Sequence, residues 1–209
     1  MNPKPTSTPR SRGRPARSGP QIEDIRKHIS ACAMKLFREE GYAAISMRRL
    51  AGEAGCTVMT LYNYYDRKID ILRDLWAQIF AELFDELDPI AAGETEPIIR
   101  LNAIALAYVE FWLARRDRYF LVFMSSGIAQ SDVSLFVRDD AVLRRFGILR
   151  DSVAEALGDS AGAGEIELKS QLLVCVLNGM AQNLITIGAY PWSGPKELVS
   201  VAVDGLVKA

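Results

Sequence analysis

Apolar residues recur three or four positions apart through Ile22, Ile25, Ile29, Cys32, Ala33, Leu36 and Phe37, the spacing that lines one face of an α-helix, and the run ends at Gly41. Ser46 stands where a second, shorter helix needs an N-cap. That helix buries Met47, Leu50, Ala51 and Ala54, and Gly55 follows where a left-handed backbone is cheapest. Thr57 offers a third cap, and the spacing predicts a helix over 58–64 with Val58, Leu61, Tyr62 and Tyr65 inward and Met59, Thr60, Asn63 and Tyr64 outward. A fourth helix is expected from near Asp66 to Pro89, about 30 Å long, with Ile69, Leu72, Leu75, Trp76, Ile79, Phe80, Leu83, Phe84 and Leu87 on its apolar side. Beyond a Gly- and Pro-containing break at 89–97, helices are expected near 98–115, 117–125, 132–157, 165–187 and 195–208, with 158–164 a flexible connection. No stretch sustains the alternation of a strand, so the predicted fold class is all-α.

Composition narrows the class without naming a function. The 209 residues are 49% apolar and 24% charged, with a net charge of −1. Such a chain buries a large core without a metal or disulfide staple. Cys32, Cys56 and Cys175 are odd in number and far apart, which reads as reduced thiols. The longest apolar run, Leu172 to Ala189, is interrupted by Asn178, Gln182, Asn183 and Thr186 and reads as a buried helix, so no membrane partner is expected. The N-terminus lacks the apolar core of a signal peptide, and a cytoplasmic location is expected.

Charge changes the picture more, because it is sorted along the chain. Residues 1–76 hold 14 Lys/Arg against 8 Asp/Glu, and residues 77–209 hold 11 against 18. One end attracts a polyanion and the other repels it. The first twenty residues carry Lys4, Arg10, Arg12, Arg14 and Arg17, no acid, and five prolines, which reads as a free basic arm. Within it, Arg12-Gly13-Arg14-Pro15 resembles an AT-hook core suited to a narrow minor groove.

Two short helices joined by a Gly-containing turn, with Ala51 and Ala54 at their contact, match a helix-turn-helix, whose second helix lies in the DNA major groove. Thr60 and Asn63 can hydrogen-bond base edges, Met59 can touch a thymine methyl, and tyrosine hydroxyls can reach phosphates. Arg48 and Arg49 fall in the first turn of the second helix, and Arg67 and Lys68 in that of the fourth. Cations there oppose the helix dipole, and an anion such as DNA phosphate held by side chains and free N–H groups together explains them. Pairing of Lys68 with Asp66 or Asp70 is the plainer alternative.

The run from Ile45 to Leu72, ISMRRLAGEAGCTVMTLYNYYDRKIDIL, is similar to the N-terminal signature of the TetR family of bacterial transcriptional regulators. The features that carry the resemblance are Gly41-Tyr42, the turn Ala54-Gly55, the pair Leu61-Tyr62, the aromatic Tyr65 and Lys68 opening the next helix, across about residues 22–87. It implies that Thr60, Tyr62, Tyr64 and Lys68 contact DNA, Tyr62 through its hydroxyl with its ring packed inside. The sequence departs from the family pattern at Cys56 and Thr57, where Val-Ser is commoner, at Tyr64, where His is frequent, and at Val58, where Lys, Arg or Pro is often found. The candidate DNA-binding residues are Arg12, Arg14, Ser46, Arg48, Arg49, Thr57, Met59, Thr60, Tyr62, Asn63, Tyr64 and Lys68.

In the C-terminal half, six of the chain's aromatic residues crowd into 108–123. Tyr108, Phe111, Trp112, Phe120, Phe123, Met124 and Phe146, with Phe136 nearby and Asn178 and Gln182 as polar contacts, are the candidate lining of a cavity for a small apolar or aromatic molecule. A plain aromatic core is the alternative. Helix 165–187 is apolar nearly all round from Leu172 to Leu177, and 195–208 repeats an apolar face. Together they resemble the TetR pattern in which the last two helices form a dimer interface. His28 is the lone histidine, and no nucleophilic triad, metal-ligand spacing or dinucleotide-binding glycine pattern occurs, so neither an enzyme nor a cofactor is expected. The expectation is a basic arm over 1–21, a DNA-binding helix-turn-helix over 22–68 and a ligand-binding and dimerisation domain over 69–209. Its partners would be double-stranded DNA, a second copy of the chain and a small-molecule effector. The different-class alternative is a DNA-binding protein whose C-terminal domain recruits another protein and binds no inducer.

Overall fold

The computed structural model describes residues 19–41, 45–125 and 140–208. Among them the chain forms nine α-helices and no strand: α1 (Gly19–Glu40), α2 (Met47–Glu53), α3 (Val58–Tyr62), α4 (Lys68–Gly93), α5 (Pro97–Ala114), α6 (Arg116–Phe123), α7 (Asp140–Leu157), α8 (Ala163–Thr186) and α9 (Pro195–Lys208). The basic arm with Arg12 and Arg14, Tyr42, and residues 126–139 with Phe136 lie outside the described residues.

The stripe read along α1 is its buried side: Ile29, Ala33 and Leu36 are inaccessible, while Ile22 near the start is exposed. Gly41 ends the helix with φ of +85°, a conformation that costs glycine nothing, and its N–H reaches the Phe37 carbonyl at 2.8 Å. These residues pack with Ile45, Leu50, Ala51 and Leu61 from α2, α3 and their approach, and with Ile69, Leu72 and Trp76 of α4.

α4 corrects the sequence reading at its C-terminal end. It begins at Lys68, close to the expected start near Asp66, and runs through Pro89 to Gly93, about 39 Å in all. A proline inside a helix removes one backbone hydrogen bond and costs about 3 kcal/mol or more. Here the buried stripe from Ile69 to Leu87 carries the helix, and Arg145 of α7 grips Asp85 and Asp88 at 2.7 and 2.8 Å beside the break. α4 therefore reaches from the N-terminal helices deep into the C-terminal ones. α5 is their hub, packing on α4, α6, α7, α8 and α9. By length and composition it is α5, rather than 172–189, that could cross a membrane, and Leu101, Ile104, Tyr108, Val109, Phe111 and Trp112 of this helix are buried in the bundle.

The glycine-rich segment at 158–164 is a shorter connection than expected. Gly158, at φ +75°, closes α7, and Gly162 already serves as N-cap of α8.

Candidate nucleic-acid interface

Short-range hydrogen bonds build the helix-turn-helix. Ser46 is extended, and its hydroxyl accepts the Arg49 N–H at 3.1 Å, which starts α2. Cys56 N–H returns to the Ala51 carbonyl at 2.9 Å across Gly55, whose φ of +64° turns the chain. Thr57 then caps α3 by accepting the Thr60 N–H at 3.0 Å, and the two threonine hydroxyls lie 2.9 Å apart. Leu61 is fully buried beneath α3. On the outer side, Met59 is 74% exposed and Tyr62 46%, with Asn63 exposed and Thr60 half-buried beside them.

Two sequence expectations fail here. α3 ends at Tyr62 rather than at Tyr64, so helical periodicity does not extend to Tyr64, and within the helix Leu61 takes the buried side. Tyr64 and Tyr65 fold back under the helix at 9% and 3% exposure, while Tyr62, expected to pack its ring inside, faces outward. The outward tyrosine of this surface is Tyr62, and Tyr64 is withdrawn from it.

The charged residues divide. Arg49 is held between Glu40 at 2.8 Å and Glu53 at 3.1 Å, and Lys35 reaches the other oxygen of Glu53 at 2.5 Å. These contacts hold the Glu53 carboxyl below the usual carboxylate range, through the Lys35 hydrogen bond first and Arg49 after it. Arg67 pairs with Asp70, whose carboxylate also accepts the Arg67 N–H at 2.9 Å and so caps α4. Intramolecular acids therefore account for the first-turn cations Arg49 and Arg67, which need no external anion. Arg48 is exposed and makes no ion pair among the described residues. Lys68 is half-buried at the start of α4, and burial pushes its ammonium below the ordinary lysine value. His28 lies exposed on α1, its Nε2 3.8 Å from the Cys32 sulfur.

The aromatic residues gather around Trp112, which is wholly buried. Phe80, Tyr108, Phe111, Tyr119 and Phe123 all meet it edge-on, with centroids 5.0 to 6.2 Å away. Phe146 joins from α7, 5.3 Å from Phe80 and 4.9 Å from Phe84. Phe120, Phe123 and Met124, expected to line a cavity, are 39%, 39% and 48% exposed among the described residues. Asn178 does turn inward and accepts the Tyr108 hydroxyl at 2.8 Å, whereas Gln182, one turn on, faces outward. Burial pushes the Tyr108 hydroxyl well above its usual range.

The outer side of α8 and α9 has a different character. Leu168, Leu172 and Val201 are 67%, 52% and 74% exposed, and Cys175 lies exposed among them. A groove of about 280 Å³ lined by Val176, Gly179, Met180, Asn183, Leu184, Trp192 and Leu198 opens on the same two helices. Another, of about 390 Å³, runs between α5 and α9, and one of about 300 Å³ lies between α4 and α5 beside Glu86, Glu110 and Arg115.

Comparison with known proteins places this architecture. Residues 29–75 match the family model described as bacterial regulatory proteins, tetR family. The chain is 29% identical over 118 residues to the HTH-type transcriptional regulator HbdR of Aromatoleum sp. (strain CIB), an alignment covering 56% of this chain and 52% of that protein. It is 32% identical over 77 residues to the HTH-type transcriptional repressor KstR of Mycobacterium tuberculosis (strain ATCC 25618 / H37Rv), covering 37% of this chain and 35% of that one. The chain thus spans about half the length of the first relative and about a third of the second. Its fold is that of a transcriptional regulator of the TetR/AcrR family from Thermobifida fusca YX-ER1, with a TM-score of 0.62 at 22% identity over 88% of this chain and 97% of that one. Helix-turn-helix, matched signature and helical architecture coincide: residues 29–75 are similar to the DNA-binding segment of bacterial regulatory proteins of the tetR family, in a chain whose fold is shared with a TetR/AcrR regulator.

Proposed function

We propose that the protein is a DNA-binding transcriptional regulator, a repressor that grips a partly palindromic operator as a homodimer and is released by a small apolar or aromatic molecule. The observation that carries the DNA-binding part is the doubly capped helix-turn-helix, whose outer face exposes Met59, Tyr62 and Asn63 beside Thr60, within the segment that matches the family model. In this reading those side chains meet base edges, Arg48 and Lys68 meet phosphates, and the arm carrying Arg12 and Arg14 enters the neighbouring minor groove. The exposed apolar side of α8 and α9 supports the dimer, since Leu168, Leu172 and Val201 gain most by burial against a second copy. A dimer addresses two half-sites about 34 to 36 Å apart. Such a regulator works in the cytoplasm, where the DNA is.

The effector is the part with a specific competing observation. The rings around Trp112 pack edge-on against one another, which supports a plain aromatic core and with it the second reading, a DNA-binding protein that uses its C-terminal helices to recruit a protein and takes no inducer. Binding to genomic fragments, followed by titration with small aromatic and apolar compounds, separates the two. The expected result is sequence-preferring binding that at least one compound weakens. A preference for no duplex over random sequence, even at low salt, overturns the DNA reading. Binding that responds to no compound leaves the second reading in place. Lys68→Ala is expected to lower affinity for every duplex and reduce the slope of log K against log salt by about one unit, and an unchanged slope removes Lys68 from the interface.

A further inference from the structure

α3 has five residues, too few for its own hydrogen bonds to hold an orientation. The Thr57 cap secures its N-terminal end, and the opposite end is secured from outside. Arg26 of α1 donates from Nη2 to the Tyr64 carbonyl at 2.9 Å, immediately beyond the C-cap Asn63. The same guanidinium lies 4.9 Å from the centre of the Tyr65 ring and 3.4 Å from Asp74 Oδ2, through Nη1. Tyr65 donates its hydroxyl to that Asp74 oxygen at 2.6 Å, and the Ser30 hydroxyl stands 3.4 Å from the same phenol. Asp74 belongs to α4, two turns in from its start, on a helix whose neighbouring positions Leu72, Leu75 and Trp76 are buried. A single carboxylate thus ties α1, the exit of α3 and α4 together.

We propose that Asp74, acting through Tyr65 and Arg26, is the positioning residue that sets the angle of α3 against α4, and so decides whether Met59, Thr60, Tyr62 and Asn63 meet base edges in register. The inference rests on the DNA-binding reading above and adds to it residues that touch no DNA. Its physical basis is the contrast between two kinds of contact. Phosphate contacts tolerate small rotations of a helix, because charge attraction falls off slowly with distance. Bidentate contacts to base edges depend on direction and do not. A loosened α3 therefore loses sequence preference before it loses affinity for DNA in general.

The test uses Tyr65→Phe, which removes one oxygen from the relay, and Asp74→Asn, which keeps an acceptor but removes the charge, on the full chain. Amide hydrogen exchange in the DNA-free protein is expected to accelerate about tenfold over residues 58–65 and to stay unchanged in α5, the loss of a hydrogen bond to a charged group being of that size. Affinity for the preferred duplex is expected to fall about tenfold, with affinity for random duplex and the salt slope unchanged. Arg26→Lys, which keeps the charge but cannot hold the Tyr64 carbonyl and Asp74 together, should show the same pattern. Equal acceleration in α5 would mark the relay as a general brace and overturn the proposal. An unchanged ratio of preferred to random affinity in a folded variant would do the same. If the unaltered protein prefers no sequence, the DNA-binding reading falls by itself, and the exchange pattern alone decides whether Asp74 positions α3.

Discussion

The helix starts and the turn in the segment from Ser46 to Leu61 are set by partners three to five residues away, namely Ser46 with Arg49, Ala51 with Cys56 and Thr57 with Thr60, and distant Arg26 and Asp74 hold the exit of α3. The ring cluster around Trp112 adds partners from elsewhere in the chain, Phe80 of α4 and, through it, Phe146 of α7, to the nearer rings Phe111 of α5 and Tyr119 and Phe123 of α6. A region ordered locally can leave a whole face to solvent, and Met59 and Tyr62 use that freedom. A region ordered by distant partners spends its large side chains on packing, and what it exposes is whatever those contacts leave over, such as Leu172 and Val201. One region is built to present side chains, and the other to hold helices in place.

Four substitutions break or sharpen that contrast. Trp112→Ala removes the central ring of the non-local region and is expected to lower unfolding free energy by about 3–5 kcal/mol, read by denaturant titration. A loss below about 1 kcal/mol would mean that the cluster is hollow and would favour the aromatic cavity. Leu172→Asp places a carboxylate on each side of the proposed subunit contact, where burial of an unpaired charge is prohibitive. Sedimentation should show the dimer weakened about 100-fold or more, a free-energy change of about 2.7 kcal/mol, with helicity retained; an unaltered association constant would move the interface elsewhere. Thr57→Ala should cost about 1 kcal/mol through the lost cap, and amide exchange should locate the loosening at α3 rather than α5. Glu53→Gln has the smallest effect and depends on pH. Because folding holds the Glu53 carboxyl below its ordinary value, its contribution is present above the unfolded carboxylate pKa of about 4.3 and disappears as pH falls through the lower folded value. The variant should therefore be slightly less stable at neutral pH and match the unaltered protein in strong acid. Equal melting temperatures at both ends of that range would show that the Lys35–Glu53–Arg49 latch contributes nothing.

Legibility followed the same division. The caps Ser46 and Thr57 and the turn at Gly55 were readable because each depends on residue type and a spacing of a few positions. Tyr62 and Tyr64 take the sides opposite to those the spacing predicts, because Tyr64 lies past the end of a five-residue helix and Leu61 beside Tyr62 occupies the buried position. Arg49 and Arg67 looked like phosphate ligands until Glu40, Glu53 and Asp70 were seen beside them, and a partner such as Glu40, on another helix, leaves no trace in the local pattern. The relay through Arg26, Tyr65 and Asp74 was missed for the same reason. Its only sequence mark is a carboxylate at position 74 close to an apolar stripe, which by itself says nothing about partners 9 and 48 residues away.

Read alone, the sequence determined the helical class, the position of the helix-turn-helix, its capping residues and the resemblance its N-terminal segment carries, because periodicity, caps and turns are properties of a few neighbouring residues. Tertiary structure decided where α4 ends, which tyrosine faces out, which arginines are already neutralised and which rings meet around Trp112. Those outcomes turn on distances between side chains far apart in the chain, and packing and electrostatics act through distance rather than order along the backbone.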